Sequence, residues 1–199
     1  MQLLKGQKVF LRALEPSDID EVYQWENDSS IWHLSNTISP YSRFVLEQYL
    51  AEAHQDIFTA KQLRLVICLP AVAQAMTQQA GLPTVAQART QQAGLPAGKA
   101  IGCIDIFDFD PLHQRAGVGV LIAEEADRGK GFASEALQLL IEYCRDTIHL
   151  HQLYCNITEG NESSKKLFTN LGFCICGTKK SWLREKDGWK DELMLQKML

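Results

Sequence analysis

Arg128-Gly129-Lys130-Gly131-Phe132-Ala133 is the stretch on which the reading of this chain turns. Before it, Ala116-Gly117-Val118-Gly119-Val120-Leu121-Ile122-Ala123 alternates and is rich in Val and Ile, which marks a strand. After it, Ala133, Leu137, Leu140, Ile141 and Cys144 recur at helical spacing. A strand, a short glycine loop and a helix start put backbone N–H groups where they can face an anion. Gly129 and Gly131 let the chain come close to a phosphate, and Arg128 and Lys130 add positive charge. The pattern predicts a phosphorylated ligand at this loop. The same glycines also suit a plain tight turn.

Two common phosphate motifs are excluded by spacing. The dinucleotide fingerprint needs G-x-G-x-x-G, and the P-loop needs G-x-x-x-x-G-K-[ST]. The chain has instead R-x-x-G-x-A, at Arg128, Gly131 and Ala133. A second element follows downstream, running from Asn161 through Ser164, Leu167 and Phe168 to Gly172-Phe173. Its pattern is N-x-x-S-x-x-L-F-x-x-x-G-F, and a strand-like Leu153–Thr158 separates it from the first. In order and separation the two resemble the coenzyme A loop and the later helix of the GNAT superfamily of N-acetyltransferases. The resemblance runs from Lys8 to the C-terminus, one insert apart. Leu11-Arg12-Ala13-Leu14-Glu15, His113-Gln114-Arg115-Ala116 and Gly188-Trp189-Lys190-Asp191-Glu192 are similar to the branch holding spermidine or diamine and ribosomal-protein N-terminal acetyltransferases.

The 199 residues suffice for one domain with a full core. A net charge of −4 argues against nucleic acid as a main partner. No apolar run approaches the roughly 20 residues of a membrane span, and the N-terminus lacks the pattern of a signal peptide. The six cysteines form no C-x-x-C pair, and no His stands at ligand spacing beside Cys174 and Cys176. Most of them sit in apolar runs and read as small buried hydrophobes in a reducing cytoplasm, with no metal expected.

Along the chain, Val9–Leu14 reads as a first strand and Ser17-Asp18-Ile19-Asp20 as the start of a helix with Ile19, Val22 and Tyr23 inward. Ser39-Pro40 reads as the cap of a second helix, with Phe44, Val45, Tyr49 and Leu50 inward. Leu63–Leu69, Ala100–Phe109, Phe173–Gly177 and Glu192–Met198 read as further strands, with Lys186–Trp189 as a turn. The resulting order, β-α-α-β-β-β-α-β-α-β-β, is the one the resemblance implies. It gives an α/β fold (α+β): a mixed, mostly antiparallel twisted sheet with helices on both faces. A single acyltransferase domain spanning 1–199 is expected. It carries an insert at about 70–98, where Val72–Pro83 repeats as Val85–Pro96 with one difference. Two short copies are too few for a solenoid and read as an expanded hairpin tip.

The resemblance also implies a site. Ile122 and Ala123 end the strand beside the pantetheine arm. Arg128, Gly129, Lys130, Gly131, Phe132, Ala133 and Ser134 form the diphosphate loop, and Asn161, Ser164 and Phe168 lie on the later helix. Asn161 suits two roles, helix N-cap and cofactor contact. Lys165 and Lys166 suit either the adenosine phosphates or a solvated face. An alkylamine resembles lysine, pKa ~10.4, and must lose a proton before it attacks the thioester. The leaving thiol resembles cysteine, pKa ~8.5, and its departure benefits from a donor. Many relatives place a tyrosine there, but this chain has Phe168. The role passes to Ser164, one helical turn earlier, to Tyr154, to water, or to nothing essential. A covalent route through Cys155, with His149 or His151 as base, is the rival chemistry.

Trp25, Glu26, Asn27, Trp32 and His33 lie where the family builds part of its acceptor pocket, and Glu26 could bind an ammonium or act as base. Asp105, Asp108, Glu124 and Glu125 are further carboxylates near strand ends. The expectation is an N-acetyltransferase that moves an acetyl group from acetyl-coenzyme A to a small amine, a polyamine or a peptide amine, by direct attack. No nucleic acid or membrane is involved, and the resemblance allows a homodimer. A non-catalytic acyl-coenzyme A sensor is the alternative, and Phe168 is its main support.

Overall fold

A computed structural model describes residues 4–32, 37–53, 55–70, 98–185 and 188–199. The duplicated segment, His33 and the Lys186-Asp187 part of the expected turn lie outside the described residues. The chain divides into two compact units, and strands β4 and β5 and helix α4 pass through both.

The first unit holds β1 (Leu4–Lys5), β2 (Phe10–Ala13), α1 (Ile19–Glu26), α2 (Arg43–Glu52) and most of β3 (Leu63–Pro70). It also holds the first half of β4 (Gly98–Asp110), the end of β5 (Arg115–Ile122) and the start of α4 (Phe132–Asp146). Its strands are hydrogen-bonded in the order β1-β2-β3-β4-β5. β1–β2 and β2–β3 are antiparallel, and Leu11 faces Ile67 across the second pair. Phe10, Leu14, Val22, Trp25, Leu46, Leu50, Val66, Cys68 and Cys103 make one core.

A buried ion pair turns the chain out of β2. Arg12 Nη2 lies 2.6 Å from Asp18 Oδ1 and Nη1 lies 2.7 Å from Oδ2, and Asp18 Oδ2 also accepts from the Glu15 N–H at 2.9 Å. This bidentate geometry fixes the turn at Pro16–Asp18 before α1.

The second unit holds α3 (Ile57–Ala60), the remaining parts of β4, β5 and α4, then β6 (Gln152–Thr158), α5 (Glu162–Asn170), β7 (Cys174–Glu185) and β8 (Gly188–Met198). Its strand order is β4-β5-β6-β8-β7. β6–β8 and β7–β8 are antiparallel, while β5 and β6 are parallel and joined through α4. Leu140, Ile141, Cys144, Leu153, Ile157, Phe168, Phe173 and Leu195 are buried here.

The expected order of the main elements holds, with β1 and α3 added. The expected start of α2 does not hold. Its N-cap is Ser42, whose hydroxyl accepts from the Val45 N–H at 3.2 Å, not Ser39. Asn27 explains the shift: it donates to the Tyr41 carbonyl and accepts from the Tyr41 N–H, which keeps that residue extended before the helix. The helix therefore turns Leu46 and Leu50 inward and leaves Phe44, Val45 and Tyr23 of α1 exposed, contrary to expectation. β7 and β8 run well beyond the short strands that alternation marked, because each satisfies the backbone groups of the other.

Candidate active site

In the first unit, the chain leaves β5 and is clamped at once. The Arg128 guanidinium donates to the Ile122 carbonyl at 3.0 Å and to the Ala123 carbonyl at 2.7 Å. Arg128 therefore shapes the loop, and Ile122 and Ala123 are the residues it grips. Gly129 and Gly131 follow with φ of +74° and +84°, in the left-handed region that favours glycine. A Cβ at Gly129 would meet nothing within 4 Å, so that side of the loop is open.

α4 begins directly after the loop. The N–H groups of Phe132, Ala133 and Ser134 precede the first intrahelical bond, made by Glu135 N–H to the Gly131 carbonyl at 3.1 Å. Among the described residues they have no acceptor. Beside them stands Asp127, buried to 8 % exposure, which pairs with Lys99 at 3.1 Å and Lys130 at 3.2 Å. Burial pushes the Asp127 carboxyl up, but hydrogen bonds from the two lysines outweigh it and hold the group below its ordinary range. Free amides, a helix N-terminus and two lysines with one shared counterion form a site for a polyanion.

The expected acceptor cluster separates into different roles. Trp25 belongs to the core. Trp32 donates its indole N–H to the Glu26 carbonyl at 2.9 Å. The Glu26 carboxylate pairs with Arg64 at 2.5 Å, and Arg64 also lies over the Tyr49 ring. Asn27 holds Tyr41, as described above.

In the second unit, β5 and β6 pair only at Arg115–Gln152, Ala116–Leu153 and Gly117–Tyr154. Val118 and Gly119 continue without a partner in β6. Tyr154 stands at the last pair. Its hydroxyl donates to Asp108 Oδ2 at 3.0 Å, and its ring meets Phe107 edge-on at 6.0 Å. Burial, then the bond to Asp108, pushes the phenol up to about 12. Asp108 itself has φ +49°, an uncommon conformation for a non-glycine residue.

Asn161 is the N-cap of α5. Its Oδ1 accepts from the Ser164 N–H at 3.1 Å and the Ser163 hydroxyl at 3.0 Å. Two donors on one oxygen fix the amide, and Nδ2 takes no part in the cap. Ser164 is half-buried, and among the described residues its hydroxyl has no hydrogen-bond partner. Phe168 is buried and meets Phe173 edge-on at 5.0 Å, which makes it a packing residue of this unit. Lys165 pairs loosely with Glu162, and Lys166 is exposed. Cys155 is buried, and desolvation pushes its thiol up to about 12, opposite to what a nucleophile requires. Among the described residues, no group of His, Cys, Asp and Glu is placed to hold a metal ion.

Four residues were not found from sequence. Lys8, Lys99, Asp127 and Glu135 all act on the loop, and all four lie outside the motif. Only Glu135, an acid in a first helical turn, carries a local signal, and that signal is shared by many helices.

These features define an acyltransferase of the GNAT class. The acetyltransferase (GNAT) domain profile matches residues 8–174, and the chain belongs to that family. It is similar to the spermidine N(1)-acetyltransferase of Escherichia coli K12, at 25 % identity over 169 residues, covering 85 % of this chain and 74 % of the relative. The fold is that of a Vibrio cholerae spermidine N-acetyltransferase solved with CoA and spermine, with a TM-score of 0.76 at 18 % identity, covering 97 % of this chain and 96 % of that one. A ribosomal L7/L12 α-N-protein acetyltransferase has the same fold, with a TM-score of 0.72 at 14 % identity and coverage of 100 % and 94 %. The protein is accordingly an acyl-coenzyme A-dependent N-acyltransferase. No helix among the described residues is long and apolar enough to cross a membrane.

Proposed function

We propose that this enzyme transfers an acetyl group from acetyl-coenzyme A to the primary amine of a polyamine or other small amine, by direct attack on the thioester. A protein N-terminus is the second acceptor class. The observation that carries the reading is the open glycine loop with the free amides of Phe132, Ala133 and Ser134 at the start of α4. It fits the diphosphate of coenzyme A, which needs donors and positive charge. A polyamine acceptor is supported by the relative's activity and by the acidic net charge of −4. The high pKa of the Cys155 thiol favours direct transfer over an acyl-cysteine.

Chemistry at the sulfur follows from availability. The Tyr154 proton is already donated to Asp108, and a phenol near 12 is a weak acid toward a thiolate whose pKa is ~8.5. Ser164 offers a hydroxyl that is not otherwise engaged among the described residues. A serine is a poor acid, so its part is a hydrogen bond to the departing thiolate, with water carrying the proton. Asn161 Nδ2 is a second donor on the same turn. To Glu26, paired with Arg64, we assign the orienting of a cationic acceptor and the drawing of a proton through water.

Calorimetry on Gly131→Glu tests the loop. The substitution puts a side chain on a left-handed backbone, with its Cβ 3.0 Å from Lys8 Nζ, and adds a negative charge to the loop. Coenzyme A affinity should fall at least a hundredfold, about 2.7 kcal/mol, in a folded protein. Wild-type affinity in the folded variant would refute the assignment.

A further inference from the structure

Glu135, in the first turn of α4, accepts from three successive backbone amides. They are Gln7 at 2.8 Å, Lys8 at 2.7 Å and Val9 at 2.7 Å. Three charge-assisted bonds to one carboxylate give this segment a single position against the helix. From there Lys8 Nζ donates to the Lys130 carbonyl at 3.2 Å. A Cβ at Gly131 would lie 3.0 Å from the same Nζ. The Lys130 carbonyl and the Gly131 N–H belong to one peptide unit, and that unit is trans. In a trans peptide the two point opposite ways. Fixing the oxygen with a cation therefore fixes the N–H on the far side, and it also polarises that N–H into a better donor.

We propose that Lys8, held in place by Glu135, is a positioning residue for the diphosphate loop. It anchors the Lys130 carbonyl so that the Gly131 N–H faces the diphosphate of coenzyme A. This inference rests on the reading of Arg128–Ala133 as the coenzyme A loop. It adds a second segment of chain, the link between β1 and β2, to the parts that set cofactor affinity. Lys8 acts from behind the loop, so its effect follows the diphosphate and not the 3′-phosphate or the thioester.

The test compares wild type, Lys8→Met and Lys8→Arg. Affinity is measured for coenzyme A and dephospho-coenzyme A, and turnover for acetyl-pantetheine, which has no diphosphate. Lys8→Met should weaken both nucleotide ligands by the same factor, about tenfold, as expected for one charge-assisted bond. KM for acetyl-coenzyme A should rise with kcat nearly constant, and the loss with acetyl-pantetheine should stay under about twofold. Lys8→Arg should recover most of the affinity. In labelled protein the Gly131 amide resonance should move in Lys8→Met and in Glu135→Gln. Unchanged affinity in Lys8→Met would overturn the proposal, and so would an equal loss with acetyl-pantetheine. A wild-type protein that binds neither nucleotide ligand would instead remove the loop reading itself.

Discussion

Two hydroxyls compete for one role, and their partners separate them. Among the described residues the Ser164 hydroxyl has no partner, while Tyr154 is committed to Asp108. Ser164→Ala should lower kcat by about 10²-fold, the effect of removing one donor to a developing anion, with a smaller change in acetyl-coenzyme A binding. Full kcat in steady-state assays would make Ser164 a helix residue only. Tyr154 has its own signature in pH. Its folded pKa of about 12 lies above the ordinary 10.0. A raised pKa contributes stability that is complete below about pH 10 and is lost as the pH climbs through about 12. An ultraviolet phenol titration should show a late tyrosine near 12 that Tyr154→Phe removes. Loss of only an ordinary phenol near 10 would show that the Asp108 bond is absent. Little of this was legible in sequence. Tyr154 and Asp108 are far apart in the chain, and only the β4–β5–β6 arrangement brings them together. Phe168 was conspicuous for the hydroxyl it lacks, and its packing on Phe173 shows why an aromatic stands there at all.

Elements place these residues, and capping decides two of them. Asn161 closes the first turn of α5 with Oδ1 and leaves Nδ2 unused by the cap. Substitution separates the two roles. Asn161→Asp retains an acceptor at the cap, so thermal stability should hold, while kcat/KM falls with the lost donor. Asn161→Ala should lose both, with about 1 kcal/mol of stability. If thermal melting and kinetics show Asn161→Asp as active as wild type, the side chain serves the cap alone. The strands and helices were legible because their apolar periods are strong: the face Leu137, Leu140, Ile141 and Cys144 of α4 is buried as its spacing requires. The start of α2 was not legible. Ser39-Pro40 has the local form of a cap, but Asn27, from α1, holds Tyr41 extended and passes the role to Ser42. A tertiary bond outweighed a local preference, and its two ends lie 14 residues apart with no period linking them.

At the scale of the molecule, the two motifs were enough to name the class, because each marks a helix start beside a strand and the family profile spans both. What they omitted is the support around them. Lys8, Lys99, Asp127 and Glu135 reach the loop from other parts of the first unit, and their polar pairing has no period in sequence. Glu26 was read as an open acid, and its partner Arg64 comes from a strand 38 residues later. The central claim is that these parts together carry out direct acetyl transfer to an amine. Initial-rate kinetics with acetyl-coenzyme A and spermidine, following free thiol and acetylated product, test it most directly. The account predicts thiol release that depends on the amine, one acetylated amine per thiol, intersecting double-reciprocal lines and no acetyl group left on the protein. Parallel lines with an acetylated cysteine, or coenzyme A binding with no turnover across a panel of polyamines, small amines and peptide N-termini, would contradict it.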